Sequence, residues 1–171
     1  MTYKEMLTHI TTFIFDVDGV ITNGQVLLYK DEWVRSINSR DSYAMQYATK
    51  MGYSIFVITG GSSTIVRDRL IGAGAKEVIL NASHKEEDYE SLKSKFNFTD
   101  QEVLYMGDDI PDYFVMKKVG VAACPSDAAV EIKEISNYHS AFKGGRHCVR
   151  DVIEQTLRVQ GKWFGEDAHL W

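Results

Sequence analysis

The sequence of 171 residues has little of what marks fibrous, disordered or disulfide-built proteins. Its 2 prolines and 13 glycines are too few for a collagen or a long disordered linker. Two cysteines, Cys124 and Cys148, cannot build a disulfide scaffold, so we expect a reducing, cytoplasmic setting. The length of the chain argues for a single domain over residues 1–171, and the sequence has no internal repeat and no low-complexity segment.

The net charge and the lengths of the hydrophobic runs argue against two kinds of binding partner, nucleic acids and membranes. Nineteen basic and 24 acidic residues give a net charge of −5, and no basic tract is present, so we expect no nucleic-acid partner. No apolar run approaches the length of a membrane span, and the first residues lack the pattern of a secretion signal, so we expect no membrane partner. An anionic substrate must then be attracted by a local feature or by a metal ion.

What the sequence does contain is an alternation of short apolar runs with segments of helical character. Short apolar runs are typical of strands that are buried on both faces of a parallel sheet. We therefore predict an α/β fold, with an open, mainly parallel, Rossmann-like sheet and helices on both faces. The predicted strands are residues 12–15, 53–58, 77–80, 103–106 and 119–123, and the predicted helices are residues 63–71, 85–96, 111–118, 126–135 and 149–160.

The segment between the first two predicted strands is longer than one crossover needs. It predicts a β-hairpin at about residues 25–37, with strands at 25–29 and 33–37, and then a helix at 43–51. The hairpin is apolar on both faces, and an isolated two-stranded hairpin is only marginally stable in water. We expect another subunit to cover it, with packing against its own domain as the alternative.

Polar residues follow several predicted strands at the point where each strand ends. In open parallel sheets, ligands bind beyond the carboxyl ends of the strands. We therefore expect these side chains to share one pocket. They are Asp16 and Asp18 after the first strand, Thr59 and Gly60 after the second, and Asp108 and Asp109 after the fourth.

Two groups of acids in this set indicate a metal site. In Asp16-Val17-Asp18-Gly19 both carboxylates can face the same way, and their mutual repulsion favours a bound proton or a cation. Gly107-Asp108-Asp109-Ile110-Pro111-Asp112 supplies three further acids. Oxygen ligands from two loops suit Mg²⁺, which we expect as the cofactor. Capping of the helix that begins at Pro111 is the alternative for Asp108 or Asp109.

The same residues fit phosphoryl transfer through an aspartyl intermediate. Asp16 is placed as the nucleophile and Asp18 as the acid that protonates the leaving alkoxide. Thr59, Gly60 and Lys85 lie where helices begin and can hold phosphate oxygens. A phospho-accepting receiver domain and a non-catalytic assembly subunit are alternatives from other classes. The acid at Asp18 argues against a receiver, and the intact set of catalytic residues argues against a silent subunit.

These motifs resemble those of the haloacid dehalogenase superfamily of phosphatases. The matching segments are Phe15-Asp16-Val17-Asp18-Gly19-Val20, Ile58-Thr59-Gly60, Lys85 and Gly107-Asp108-Asp109-x-x-Asp112. The resemblance implies that Asp16 is the nucleophile and Asp18 the acid–base residue. It also implies that Mg²⁺ is held by Asp16, the Asp18 carbonyl and Asp108, with support from Asp109 or Asp112.

Within that superfamily, the short chain with a hairpin resembles the capless family of 3-deoxy-D-manno-octulosonate 8-phosphate phosphatases. The resemblance implies a cytoplasmic homotetramer in lipopolysaccharide biosynthesis, assembled around the hairpins, in which a neighbour's C-terminal tail (about 144–171) helps to close the site. It further implies a set of substrate contacts. These contacts are Asp18, Asn38, Ser39, Arg40, Asp41, Ser42, Gly60, Arg69, Lys85 and Arg146.

The identity of the sugar stays open in the sequence. Gly61 and Gln46 stand where that family usually has arginines, and an arginine could pair with a sugar carboxylate. The expected substrate is 3-deoxy-D-manno-octulosonate 8-phosphate. The alternative is the 9-phosphate of a nine-carbon sugar acid, or another small sugar phosphate.

Overall fold

The computed structural model describes residues 1–170, which contain eight β-strands and seven α-helices. Trp171, the last residue of the expected domain, lies outside the described residues. The strands are β1 (Thr12–Phe15), β2 (Leu27–Tyr29), β3 (Glu32–Val34), β4 (Ser54–Ile58), β5 (Glu77–Ile79), β6 (Val103–Met106), β7 (Val121–Cys124) and β8 (Tyr138–His139). The helices are α1 (Tyr3–Met6), α2 (Ser39–Lys50), α3 (Thr64–Gly72), α4 (Lys85–Phe96), α5 (Tyr113–Met116), α6 (Val130–Ile135) and α7 (Cys148–Val159).

Six strands form one sheet in the order β5-β4-β1-β6-β7-β8, and every neighbouring pair in it is parallel. The strands β2 and β3 form a separate antiparallel hairpin. The chain places β4 and β5 on one side of β1 and the later strands on the other. Open α/β sheets bind ligands at such a reversal, beyond the carboxyl ends of the strands. The predicted parallel sheet with a hairpin insertion is confirmed.

The central strand β1 is apolar from Phe13 to Phe15 because it is buried on both faces. The side chains of Phe13 and Phe15 belong to a core formed with α2, α3 and α7, whereas Ile14 belongs to a second core formed with α4, α5 and α6. All three side chains are fully buried. Because successive side chains of a strand alternate between its faces, a strand that is covered on both faces needs a continuous apolar run. The prediction of helices on both faces is confirmed.

The start of α2 differs from the prediction. The helix begins at Ser39 and not at residue 43, because Asn38 caps it and accepts hydrogen bonds from the backbone N–H groups of Arg40 and Asp41. Such a cap satisfies N–H groups that have no partner inside the helix. The predicted substrate contacts Asn38 to Ser42 therefore lie in the cap and first turn of α2.

Three further elements differ from the prediction, because the sequence carries only a weak signal for them. The paired part of the hairpin is shorter than predicted and runs from Leu27 to Val34. The helix predicted at 126–135 begins only at Val130. The edge strand β8 was missed because two residues are too few for an apolar run.

The helix α7 is part of the main core. Val149, Val152 and Ile153 are fully buried in the core that α7 shares with α2. Residues 161–170 then return along α2, where the Tyr43 hydroxyl donates to the Ala168 carbonyl. Among residues 1–170, no helix combines the length and the apolar character that crossing a bilayer requires.

Candidate active site

The turn after β1 brings Asp16 and Asp18 to the carboxyl edge of the sheet. The Asp16 backbone N–H still donates to the Met106 carbonyl at the end of β6, 3.1 Å away. The chain then turns through Gly19, whose φ is 89°. A Cβ atom at this position would collide with Oδ2 of Asp108. Glycine is therefore needed here for two reasons: it adopts the left-handed backbone conformation, and it allows the two acidic loops to approach closely.

Three carboxyl groups meet at this edge, from Asp16, Asp108 and Asp112. One oxygen of each lies within 4.8 Å of the others. Burial and the neighbouring acid Asp112 raise the pKa of Asp16 to about 6. Burial, Asp16 and Asp112 raise the pKa of Asp108 to about 8. Without a bound cation, ionisation of all three carboxyl groups is therefore unfavourable.

The residues present fit a divalent cation. Oδ1 of Asp108 is buried and has no hydrogen-bond partner among residues 1–170. A buried acceptor without a donor is costly unless an ion or a water satisfies it. Carboxylate oxygens from two loops are the ligands that Mg²⁺ prefers in proteins.

Lys85, the first residue of α4, lies against this cluster. Its Nζ is 2.7 Å from Oδ1 of Asp112 and 2.9 Å from Oδ1 of Asp16, and its side chain is only 5% exposed. Burial alone would lower the pKa of Lys85, but the two carboxylates raise it on balance, so the ammonium is charged. One ammonium faces three acids, and the cluster keeps an excess of acid.

Asp112 is held by more donors than any other acid of the cluster. Its side chain is fully buried and accepts hydrogen bonds from Lys85, from the Tyr105 hydroxyl at 2.7 Å and from the Asp108 backbone N–H at 3.1 Å. Sequence reasoning missed Tyr105, because a tyrosine inside an apolar strand is typical of core packing. The available signal was its hydroxyl, which needs a partner when it is buried.

The turn after β4 carries Thr59 and Gly60. Thr59 is buried, and its hydroxyl oxygen accepts a hydrogen bond from the Gly61 backbone N–H at 3.1 Å. Ser63 caps α3 by accepting a hydrogen bond from the Val66 backbone N–H. The turn therefore presents a hydroxyl and a helix N-terminus at the same edge of the sheet as the acids.

Arg35, one residue beyond β3, forms an ion pair with Asp18. Its Nε lies 2.7 Å from Oδ1 and its Nη2 lies 3.0 Å from Oδ2. The Arg35 side chain is 6% exposed, whereas that of Asp18 is 35% exposed. Sequence reasoning missed Arg35, because no motif surrounds it. The available signal was a single arginine directly after the apolar pair Trp33-Val34.

Asp109 lies apart from the three-acid cluster. It is exposed, and its carboxylate accepts a hydrogen bond from the Ile110 backbone N–H at 2.8 Å, which caps the short helix Ile110–Asp112. Of the two supporting acids that the sequence offered, the structure therefore brings Asp112 to Asp16 and Asp108.

Two of the predicted substrate contacts in α2, Asp41 and Ser42, are buried and have partners within the protein. Asp41 is buried and accepts a hydrogen bond from the Arg150 backbone N–H at 2.9 Å, which ties α2 to α7. Ser42 is also buried, and its hydroxyl donates to the Asn38 carbonyl. The remaining predicted contacts lie on the surface. They are Ser39 and Arg40 in the first turn of α2, Arg69 in the last turn of α3, and Arg146 before α7.

Known proteins resemble this chain over nearly its whole length, although no family model matches it. The 3-deoxy-D-manno-octulosonate 8-phosphate phosphatase KdsC of Salmonella typhi is 31% identical over 168 residues, which covers 94% of this chain and 89% of that protein. The solved structure of the phosphatase of that name from Yersinia pestis matches with a TM-score of 0.90 and 29% identity, and covers 93% of this chain and 86% of that one.

A third protein of that name, from Moraxella catarrhalis, was solved in complex with magnesium, phosphate and the sugar acid. Its TM-score is 0.90 at 25% identity, with 94% of this chain and 92% of that chain covered. Sequence similarity and fold similarity thus each extend over more than nine-tenths of this chain. This chain belongs to the 3-deoxy-D-manno-octulosonate 8-phosphate phosphatase family of the haloacid dehalogenase superfamily.

Proposed function

We propose that this protein is a Mg²⁺-dependent phosphomonoesterase that hydrolyses 3-deoxy-D-manno-octulosonate 8-phosphate to the free sugar acid and phosphate. The observation that carries this proposal is the cluster of Asp16, Asp108 and Asp112 with Lys85 in contact with it. The family's name states the same activity, and the relative from Moraxella catarrhalis binds magnesium, phosphate and the sugar acid.

Mg²⁺ would be held by Asp16, by the backbone carbonyl of Asp18 and by Asp108, with Asp112 in support. When bound, the ion neutralises charge on the phosphate oxygens, which otherwise repel an attacking carboxylate. Asp112 is itself fixed by Lys85 and Tyr105. The supporting acid is therefore positioned before any ligand arrives.

The proposed nucleophile is the carboxylate of Asp16. Its Oδ1 accepts hydrogen bonds from the Val17 backbone N–H at 2.7 Å and lies 2.9 Å from Nζ of Lys85, so two donors fix its orientation. An Asp16 oxygen forms a bond to phosphorus while the bond between phosphorus and the sugar oxygen breaks. Thr59, Gly60 and Lys85 are the proposed contacts of the phosphate oxygens.

Asp18 is the proposed acid–base residue. It gives a proton to the departing sugar oxygen, and then takes a proton from the water that attacks phosphorus and releases Asp16. It follows Asp16 by two residues, and its Oδ2 lies 3.9 Å from the place where a Cβ atom would stand on Gly61, in the turn that carries Thr59. The contacts expected from Asn38, Ser39, Arg40, Asp41, Ser42, Arg69 and Arg146 remain predictions.

The direct test is phosphate release from a panel of phosphorylated sugar acids, measured with Mg²⁺ and with a chelator. We expect the highest kcat/KM for 3-deoxy-D-manno-octulosonate 8-phosphate, and no release in the chelator. A higher kcat/KM for a nine-carbon sugar-acid 9-phosphate would favour the alternative substrate that Gly61 and Gln46 leave open. Release that is equal with and without Mg²⁺ would contradict the proposal.

The metal-free protein is expected to lose stability as the pH rises from about 5 to about 8. The pKa of Asp108 is raised to about 8 in the folded state, so the folded protein holds a proton there that the unfolded chain has already lost. Stability therefore falls as the pH rises through this range. The check is the melting midpoint at both pH values, without and with Mg²⁺. Asp108→Asn should flatten the dependence, and an equally steep fall in that variant would contradict the assignment.

We also propose that the protein is a cytoplasmic homotetramer in lipopolysaccharide biosynthesis, assembled around the hairpin of β2 and β3. The side chains of Leu28 and Trp33 are 75% and 65% exposed on it, beside the exposed Leu27 and Tyr29. Exposed apolar patches of this kind mark interaction surfaces. Both cysteines are free and buried, which agrees with a reducing compartment.

Leu28→Lys is expected to dissociate the assembly, because a charge on the apolar hairpin cannot be buried without a partner. Analytical ultracentrifugation of wild type and variant is the measurement. Ile71→Lys is a matched control, since Ile71 is an exposed apolar residue in α3. Sedimentation of Leu28→Lys at the wild-type rate would show that the hairpin is not the interface.

A further inference from the structure

Arg35 forms an ion pair with Asp18, the residue that the proposed reaction uses as its acid and base. Both carboxylate oxygens of Asp18 accept hydrogen bonds from the same guanidinium, at 2.7 Å and 3.0 Å. An acid–base residue must reach the leaving oxygen and the attacking water within hydrogen-bond distance. Arg35 must therefore change partner for Asp18 to act.

The groups around Arg35 indicate which partner it binds when it leaves Asp18. Its Nη2 lies 3.6 Å from the place where a Cβ atom would stand on Gly61, and Oγ1 of Thr59 lies 3.4 Å from the same place. The guanidinium thus borders the turn that is proposed to hold the phosphate. Because Gly61 has no side chain, nothing from that position competes with Arg35 for this space.

Arg35 is also the point at which the hairpin turns inward. The preceding residue of β3, Val34, is exposed, whereas the Arg35 side chain is buried. With Trp33, Ser62 and Ser63, Arg35 lines a cleft of about 570 Å³ between the hairpin and α3. A planar guanidinium binds a carboxylate and a phosphate with the same two-pronged geometry. A phosphate that enters from this cleft can therefore take the place of the Asp18 carboxylate.

We propose that Arg35 is a phosphate-binding residue that exchanges Asp18 for the phosphate group of the substrate, and so frees Asp18 to approach the leaving oxygen. The inference rests on the proposed function for the role of Asp18. No covalent bond changes in this step: the guanidinium gives up two hydrogen bonds to a carboxylate and forms two to phosphate oxygens. Substrate binding and the release of Asp18 are then one event.

The test is the binding of inorganic phosphate to the Mg²⁺-loaded protein, measured by calorimetry. Arg35→Gln should weaken phosphate binding by about tenfold or more, the effect of losing hydrogen bonds to a charged group. Arg35→Lys keeps the charge without the two-pronged geometry, and its affinity for phosphate should lie between that of Arg35→Gln and that of wild type. Arg67→Gln is a control for surface charge on α3 and should bind as wild type does, since Arg67 pairs with its neighbour Asp68.

A second arm asks which anion Arg35 recognises. The free sugar acid carries a carboxylate and no phosphate, and its affinity should be the same in Arg35→Gln and in wild type. Loss of affinity for the sugar acid alone would show that Arg35 recognises the carboxylate, and would overturn the proposal. So would wild-type phosphate affinity in both Arg35 variants, with their folding verified by circular dichroism.

A crystal structure with Mg²⁺ and phosphate provides the geometric readout. We expect the guanidinium of Arg35 on a phosphate oxygen and off Asp18, and a pair with Asp18 that survives would contradict the exchange. These readouts need no turnover of a sugar phosphate. Wild type could fail to hydrolyse 3-deoxy-D-manno-octulosonate 8-phosphate while Arg35→Gln still binds inorganic phosphate more weakly than wild type does. In that case the substrate proposal fails and the phosphate-binding role of Arg35 stands.

Discussion

Asp16→Asn is expected to abolish phosphate release while the protein stays folded. The amide keeps the shape of the side chain and an oxygen that can accept the hydrogen bond from the Val17 backbone N–H. It is not a nucleophile toward phosphorus, and the loss of a covalent nucleophile lowers kcat by about 10⁴-fold or more. Because burial raises the pKa of the Asp16 carboxyl, removal of its charge should not lower the melting midpoint.

The measurement is kcat with the sugar-acid phosphate, beside a melting curve of each protein. Asp68→Asn is the matched control, because Asp68 is an exposed acid in α3 and should leave kcat unchanged. Asp16→Ala excludes recovery of activity through deamidation of the introduced asparagine. Substantial turnover by Asp16→Ala would remove Asp16 from the role of nucleophile.

Lys85→Met is expected to cause the largest loss of stability among the site variants. The substitution removes the cation from Asp112, which is fully buried, and from Asp16. Removal of one partner from a buried ion pair costs about 3–5 kcal/mol, because the other charge stays buried without compensation. In a chain of this size that cost lowers the melting midpoint by about 10 °C. The measurement is the thermal unfolding of the metal-free protein.

Two companion variants separate a buried charge from a lost surface ion pair. In the double variant Lys85→Met/Asp112→Asn, the acid that loses its cation in Lys85→Met is replaced by a neutral amide. A double-mutant cycle should therefore show that part of the lost stability is recovered. Lys118→Met removes a lysine that also contacts two acids, Glu86 and Glu90, but at the surface, and should change the midpoint little. If Lys85→Met and Lys118→Met have the same midpoint, the buried cluster is not held by Lys85.

The sequence predicted those elements whose pattern follows from burial on both faces. The predicted strands 12–15 and 103–106 and the predicted helix 85–96 have the observed bounds of β1, β6 and α4. Each strand is an apolar run that ends at a polar residue or at glycine, because the chain leaves the core there. The same reasoning placed Asp16 and Asp108 at one edge of the sheet, which is where the structure brings them together.

Contacts that depend on how distant elements pack together could not be predicted from the sequence. The pair between Arg35 and Asp18 depends on how the hairpin folds over the edge of the sheet, and no periodicity encodes that angle. The cap at Asn38 was visible as a residue type, but the polar residues after it are equally typical of a loop. Tyr105 lies in a buried strand, where only its contact with Asp112 distinguishes it from an ordinary core residue.

The central claim is that Asp16 carries the phosphoryl group during turnover, and borohydride trapping tests it most directly. The reagent reduces an aspartyl phosphate to homoserine, which mass spectrometry locates in the peptide that contains residue 16. We expect homoserine at residue 16 only when Mg²⁺ and 3-deoxy-D-manno-octulosonate 8-phosphate are both present during turnover. Phosphate release under those conditions with residue 16 unmodified, or with the label on another acid, would contradict the account.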